Sequence, residues 1–183
     1  MVLQINGFNI VASTFRFQEI KAEQELHEIF GVLGDSFAEV ECTSVSGLLR
    51  CLTHIDLFSL AGMLADLLRQ EPWRFRYVLR ILPIEKVTKA EIDVIRRCTR
   101  EISERIPPSQ TFRITVEKRH NSIKSIDLIQ AIASDIERKV NLSNPDWIVL
   151  VEVIQDVVGL SVIKPHQVFS SVVEMRKLGE KFI

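Results

Sequence analysis

Glycine is scarce in this 183-residue chain: there are seven, and none form GxGxxG or GxxxxGKS/T. A loop that cradles nucleotide phosphates needs such glycines, so neither a nucleotide cofactor nor ATP is expected. Cysteine is scarcer still, and three is an odd count that builds no disulfide framework and fits a reducing cytoplasm. The histidines, His27, His54, His120 and His166, keep no metal-ligand spacing with the cysteines. Long apolar runs are missing too. The longest, WIVLVEVI, is broken by Glu152 and has the length of a strand, well short of a membrane span. The opening MVLQINGFNIVAS lacks a basic region followed by an apolar core, so no secretory leader is expected. No acid–base constellation is visible either. Asp93, Glu101 and Glu104 share a helical segment with arginines, and surface pairing accounts for them.

What is present is charge of both signs, unevenly placed. The formal net charge is −1, yet residues 1–72 hold 4 Lys+Arg against 10 Asp+Glu, and residues 73–125 hold 13 against 6. A local excess of that size can create a positive surface for an anionic partner despite a neutral total.

Hydrophobic periodicity divides the chain in two. GFNIVASTF reads as a strand, QEIKAEQELHEIFGVLG as an amphipathic helix stopped by glycine, and FAEVECTS and LLRCLTHI as a hairpin around Ser46-Gly47. A two-residue turn there would set Cys42 directly opposite Cys51 as packed thiols. DLFSLAGMLADLLRQ is a helix with Asp56 as its cap, and RYVLRILPIE is a strand with Phe75, Tyr77, Leu79 and Ile81 on one face. Strand-helix-strand-strand-helix-strand is the split, ferredoxin-like order, expected over residues 1–86. Residues 87–183 follow another pattern. KAEIDVIRRCTREISERI has a helical stripe of Ile92, Ile95, Cys98 and Ile102, with Arg96, Arg97 and Arg100 off it. TFRITVEK is a strand with Phe112, Ile114 and Val116 inward, and SIDLIQAIASDIERK is a helix with Ser125 as the expected cap. DWIVLVEVIQ reads as a strand buried on both faces. This strand-helix-strand succession predicts a parallel crossover, VVGLSVIK returns antiparallel, and the tail from SSVVEM is read as helical. The fold class is α+β, or α/β, with a mixed second sheet.

That arrangement gives VEKRHNSIKSIDLI its place at a strand's carboxyl end, just before a helix. Ligands of parallel sheets gather at such ends, and unpaired amides at a helix start favour anions. Lys118, Arg119 and a protonated His120 would supply charge, and Asn121 and Ser122 neutral hydrogen bonds. The same residues also fit a polar loop with its basic groups in water.

RYVLRILPI, TFRITVEKRHNS and VNLSNPDWIVLVEVIQDVVGLSVIK, in that order, resemble the THUMP-domain proteins of the tRNA cytidine-acetylation adaptor family. The resemblance runs from about Trp73 to Phe169. It implies a ferredoxin-like domain followed by a THUMP domain that binds tRNA at the acceptor stem and 3′ end. It also implies a non-catalytic adaptor with no cofactor, presenting tRNA to a separate RNA cytidine acetyltransferase for N4-acetylcytidine formation. Positions matching the motifs are Arg80, Arg119, Asn121, Ser122 and Lys164. His120 stands where the similar proteins have asparagine. Lys118, Arg113 and Lys124 join the expected RNA-binding set from charge and position. Two alternatives stay open: an RNA-binding subunit of another tRNA-modifying enzyme, and a protein-interaction scaffold. The acidic first part is expected to keep off the RNA backbone, either spacing the THUMP domain or meeting the acetyltransferase.

Overall fold

Apolar alternation near the start of the chain builds β1 (Ile10–Thr14), a central strand of a five-stranded antiparallel sheet in the computed structural model, which describes residues 7–179. After β1 come α1 (Glu19–Val32), the hairpin strands β2 (Glu39–Cys42) and β3 (Leu48–Leu52), α2 (Leu57–Gln70) and β4 (Val78–Pro83). The strand order β4-β1-β3-β2 is the split order the sequence predicts. Both helices cover one face, where Leu26, Phe30, Leu64 and Leu68 pack against Ile10, Ala12, Leu49 and Ile81. The predicted stop signals operate. At the end of α1, Gly34 takes φ +97° while its amide bonds Gly31 O and the Asp35 amide bonds Phe30 O, the paired closure of a glycine-capped helix. Asp56 caps α2 by accepting the Ser59 amide at 2.9 Å.

Two local expectations fail for identifiable reasons. Leu79 does not share the core face with Ile81. The pairing runs Ser13↔Arg80 and Thr14↔Val78, so Leu79 is an extra residue in a bulge and Val78 turns inward instead. The β2–β3 connection has five residues, not two. Cys42 consequently pairs with Leu49, and Cys51 with Val40. Burial first, then the carboxylate of Glu23, push the Cys42 thiol up to about 12.

The second compact unit, Ile84–Pro165, contains β5 (Lys86–Lys89), α3 (Ile92–Ser103), β6 (Thr111–Arg119), α4 (Ser125–Ala133), β7 (Lys139–Val140), β8 (Trp147–Ile154) and β9 (Val157–Ile163). Its sheet order is β5-β9-β8-β6-β7. β6 runs parallel to β7 and β8, and the other pairs are antiparallel, so the sheet is mixed. Phe112, Val149, Val151, Val153, Leu160 and Val162 form the face covered by Ile95 of α3 and by Leu128 and Ile132 of α4. Every residue from Ile148 to Ile154 is buried, as the double-parity apolar run predicts. Lys86–Lys89, partly assigned to the helix from sequence, is instead an edge strand, because its amides pair with β9 at Val87↔Gly159. Ser125 is the first helical residue of α4 and not its cap; Lys124 holds the cap position, without a side-chain capping bond.

The segment after Pro165 returns to the first unit. It adds β10 (Phe169–Ser170) beside β4 and then α5 (Ser171–Lys177), whose Ser170 cap accepts the Val173 amide. Phe169 is buried with its ring centroid 5.4 Å from that of Phe75, and Met175 joins the same core. The sequence reading assigned these residues to the 87–183 stretch and anticipated only the helix.

Candidate nucleic-acid interface

β6 places the predicted cations by simple alternation. Phe112, Ile114 and Val116 face the helices, and Lys118 continues their row but is exposed. Its ammonium donates to the Ile123 carbonyl at 2.8 Å and so braces the loop. Arg119 lies on the opposite row and is committed elsewhere. It donates at 2.8 Å to Glu152, whose side chain is fully buried on β8, and Glu117 stands 4.0 Å away. That pair accounts for Glu152, the charge that interrupts the apolar run.

Beyond Arg119 the chain turns sharply. His120 takes φ +54°, and Gln155, just past the end of the neighbouring β8, takes φ +55°. The Gln155 amide donates to Arg119 O at 3.0 Å, and the Asn121 side-chain amide donates to Gln155 O at 2.6 Å. Asn121 Oδ1 also accepts the Ile123 amide at 2.8 Å. Asn121 is therefore the pin of this loop. Around it Lys118, His120, Ser122, Lys124 and Gln155 are exposed, next to the start of α4. An anion placed there would meet two ammonium groups and the positive end of a helix.

The other predicted residues do not gather there. Arg113 sits opposite Ile148 near the other end of β6 and donates to Leu142 O at 3.0 Å. Lys164, after β9, places its ammonium 3.9 Å from the Trp147 ring centroid and 3.1 Å from Gln110 Oε1. Six steps along the strand separate Arg113 from Arg119, roughly 20 Å. The second unit thus carries two cationic ends. Arg80 belongs to the first unit, half-buried on β4 between Ser13 and Ser170.

Sequence reasoning missed Gln155, a polar residue in the two-residue turn between β8 and β9; its signal was the polar QD pair closing an apolar run. It also could not show which arginines are taken. Arg96 forms a two-point pair with Asp135 at 2.6 and 3.0 Å, which holds that carboxyl below its usual range. Among the described residues no cluster of three or more His, Cys, Asp or Glu is placed to hold a metal, and no helix is long and apolar enough to cross a membrane.

Residues 89–163 match the THUMP domain, so the second unit is a THUMP domain. Such domains occur in tRNA-modifying enzymes and bind RNA. Beyond the domain, the chain is related to THUMP domain-containing protein 1. It is 32% identical to the Bos taurus protein over a 116-residue alignment that covers 58% of this chain and 32% of that protein. The chain therefore spans about a third of that relative's length. Among solved structures, PH1313 of Pyrococcus horikoshii shares the fold, with TM-score 0.60 and 15% identity over 86% of this chain and 55% of its own. A 4-thiouridine synthetase, crystallised with RNA and ATP, shares it with TM-score 0.54 and 9% identity over 86% of this chain and 42% of its own.

Proposed function

We propose that this chain is a non-catalytic tRNA-binding adaptor, which presents tRNA to a separate RNA cytidine acetyltransferase for N4-acetylcytidine formation. The carrying observation is a coincidence of place: the THUMP match, 89–163, falls on the unit whose β6–α4 loop projects Lys118, His120 and Lys124 beside a helix start. RNA affinity would come from phosphates meeting these groups, with a second contact at Lys164 and Arg113 about 20 Å away. Shape and 2′-hydroxyls would supply selectivity for the acceptor stem and 3′ end. The family motifs support acetylation as the destination. The non-catalytic reading is supported by how the buried carboxylates are used. Glu152 is paired with Arg119, and Asp35 accepts from Thr53 and His54, so each holds structure together. Three free thiols, Cys42, Cys51 and Cys98, support a reducing, cytoplasmic setting.

The test has two stages. Intact tRNA and tRNA lacking its 3′ CCA are titrated at two salt concentrations, with wild type and with Lys118→Ala, Lys124→Ala and Lys164→Ala. Preference for intact tRNA, lost in the variants, supports the acceptor-end reading. Equal weak binding to any RNA defeats it. The purified acetyltransferase is then assayed on tRNA with and without this protein. Acetylation that ignores the protein, despite specific tRNA binding, would assign it to a different modifying enzyme.

A further inference from the structure

The acidic first unit exposes a concentration of aromatic side chains at one end of its sheet. β1 and β4 are antiparallel, so the exit from β1 and the entry to β4 lie at the same end. The contacts confirm it, since Thr14 Oγ1 donates to Tyr77 O at 2.8 Å and the Thr14 amide donates to Gly47 O at 2.9 Å. From the β1 side come Phe15 and Phe17, 44% and 86% exposed; from the β4 side comes Trp73, 60% exposed. An aromatic as open as Phe17 contributes nothing to the core, and clustered exposed apolar rings mark an interaction surface.

Phe17 is also held in place. It takes φ +66°, unusual for a bulky residue, and the Glu19 carboxylate accepts the Phe17 amide, the Gly47 amide and the Ser46 hydroxyl. Glu19's own amide first, then that of Gly47, keep its carboxyl below its usual range. Two nearby acids are similarly engaged, while Glu28, close enough to act on Glu25, is exposed. Glu25 is buried and accepts the amides of Arg76, Tyr77 and Val78, while Glu71 pairs with Arg74. Arg16, Lys21 and Arg76 remain exposed cations among the rings. Lys21 lies 5.2 Å from the Tyr77 ring centroid, and Arg76 Nε donates to Trp73 O at 3.1 Å. Despite ten acidic residues in residues 1–72, this end presents rings and positive charge.

Building on the RNA-binding reading, we infer that the β1–β4 end of the first unit is a stacking surface for unpaired nucleotides, with Phe17 and Trp73 stacking bases and Arg16, Lys21 and Arg76 meeting phosphates. Rings beside cations suit a single strand because every base offers a π-face, and the backbone follows the charge. A protein partner would suit the rings equally but leave three desolvated cations to be matched.

The experiment uses the full chain and a labelled oligonucleotide of about eight nucleotides, within the span such surfaces cover. Anisotropy titrations compare wild type with Phe17→Ala, Trp73→Ala and the pair Arg16→Gln/Arg76→Gln, alongside titrations with tRNA. Each aromatic truncation is expected to weaken single-strand binding about fivefold to a hundredfold, with unchanged melting because both rings are exposed. The double glutamine variant is expected to flatten the salt dependence. Single-strand binding that ignores both truncations overturns the inference, and the tRNA reading survives if Lys118→Ala and Lys124→Ala still weaken tRNA. A wild type that binds tRNA but no single strand also overturns it, and would assign the surface to a protein. Failure to bind either RNA overturns both readings.

Discussion

Removing Arg119 should damage the protein before it damages RNA binding. Its side chain is 30% exposed, but that of Glu152, whose carboxylate it serves, is fully buried in an apolar strand. Arg119→Ala leaves that charge without its 2.8 Å partner. Breaking a buried pair from one side costs about 3–5 kcal/mol, because the stranded ion keeps its desolvation penalty. Arg119 is itself partly solvated, so the lower end, about 3 kcal/mol, is the expectation. For a chain of this length that corresponds to a fall of about 6–12 °C in melting temperature. Circular dichroism melts of Arg119→Ala, Glu152→Gln and the double variant form the assay. The double variant should recover much of the loss, since a neutral amide replaces the stranded charge. A fall under about 2 °C for Arg119→Ala, or a double variant no better than the single, would refute this account. The practical corollary is that lost RNA binding in Arg119→Ala reports folding as well as contact, and in Lys118→Ala loop geometry as well as contact, whereas exposed Lys124 reports contact.

Lys118→Ala should weaken RNA binding about equally across sequences and lower the salt slope by about one, measured by titration at several ionic strengths. Gly47→Ala should destabilise by more than about 1 kcal/mol in urea unfolding, because Gly47 takes φ +79° and a methyl group there would stand 2.9 Å from Thr14 O. Hydrogen bonds from the Thr111 amide, then its hydroxyl, hold Asp146 below its usual range. That contribution is present above the unfolded value and disappears as pH falls through the folded one, so the urea midpoint of Asp146→Asn should fall less than wild type's below about pH 4.

Elements were legible where one periodicity dominated. The double-parity run of β8 and the Asp56 cap could be read directly, because burial and capping act on neighbouring residues. Register was less accessible. The bulge at Leu79 and the five-residue hairpin depend on which partner strand supplies each hydrogen bond, and nothing within the strand records that. β7 and β10, two residues each, are too short to show a period. For the site, the cationic loop at the end of β6 was legible from charge and a strand-helix junction. Its separation from Lys164 and Arg113 was not, because proximity across a sheet depends on strand direction. The aromatic end of the first unit escaped notice for a related reason: Phe17 and Trp73 are far apart in sequence, and only the antiparallel pairing of β1 with β4 brings them to the same end of the sheet.

The return of the chain to the first sheet bears on the order of synthesis. On a ribosome, β1 to β4 emerge first, the whole THUMP unit second, and β10 with α5 only afterwards. Until then the β4 edge is unpaired, and Phe75 lacks the ring of Phe169. The THUMP unit can therefore close around its own core while the first unit is still waiting for part of its own. A nascent chain stalled near Pro165 would have a finished THUMP unit while the first sheet still has an open edge, the kind of exposed pairing surface that invites misassembly.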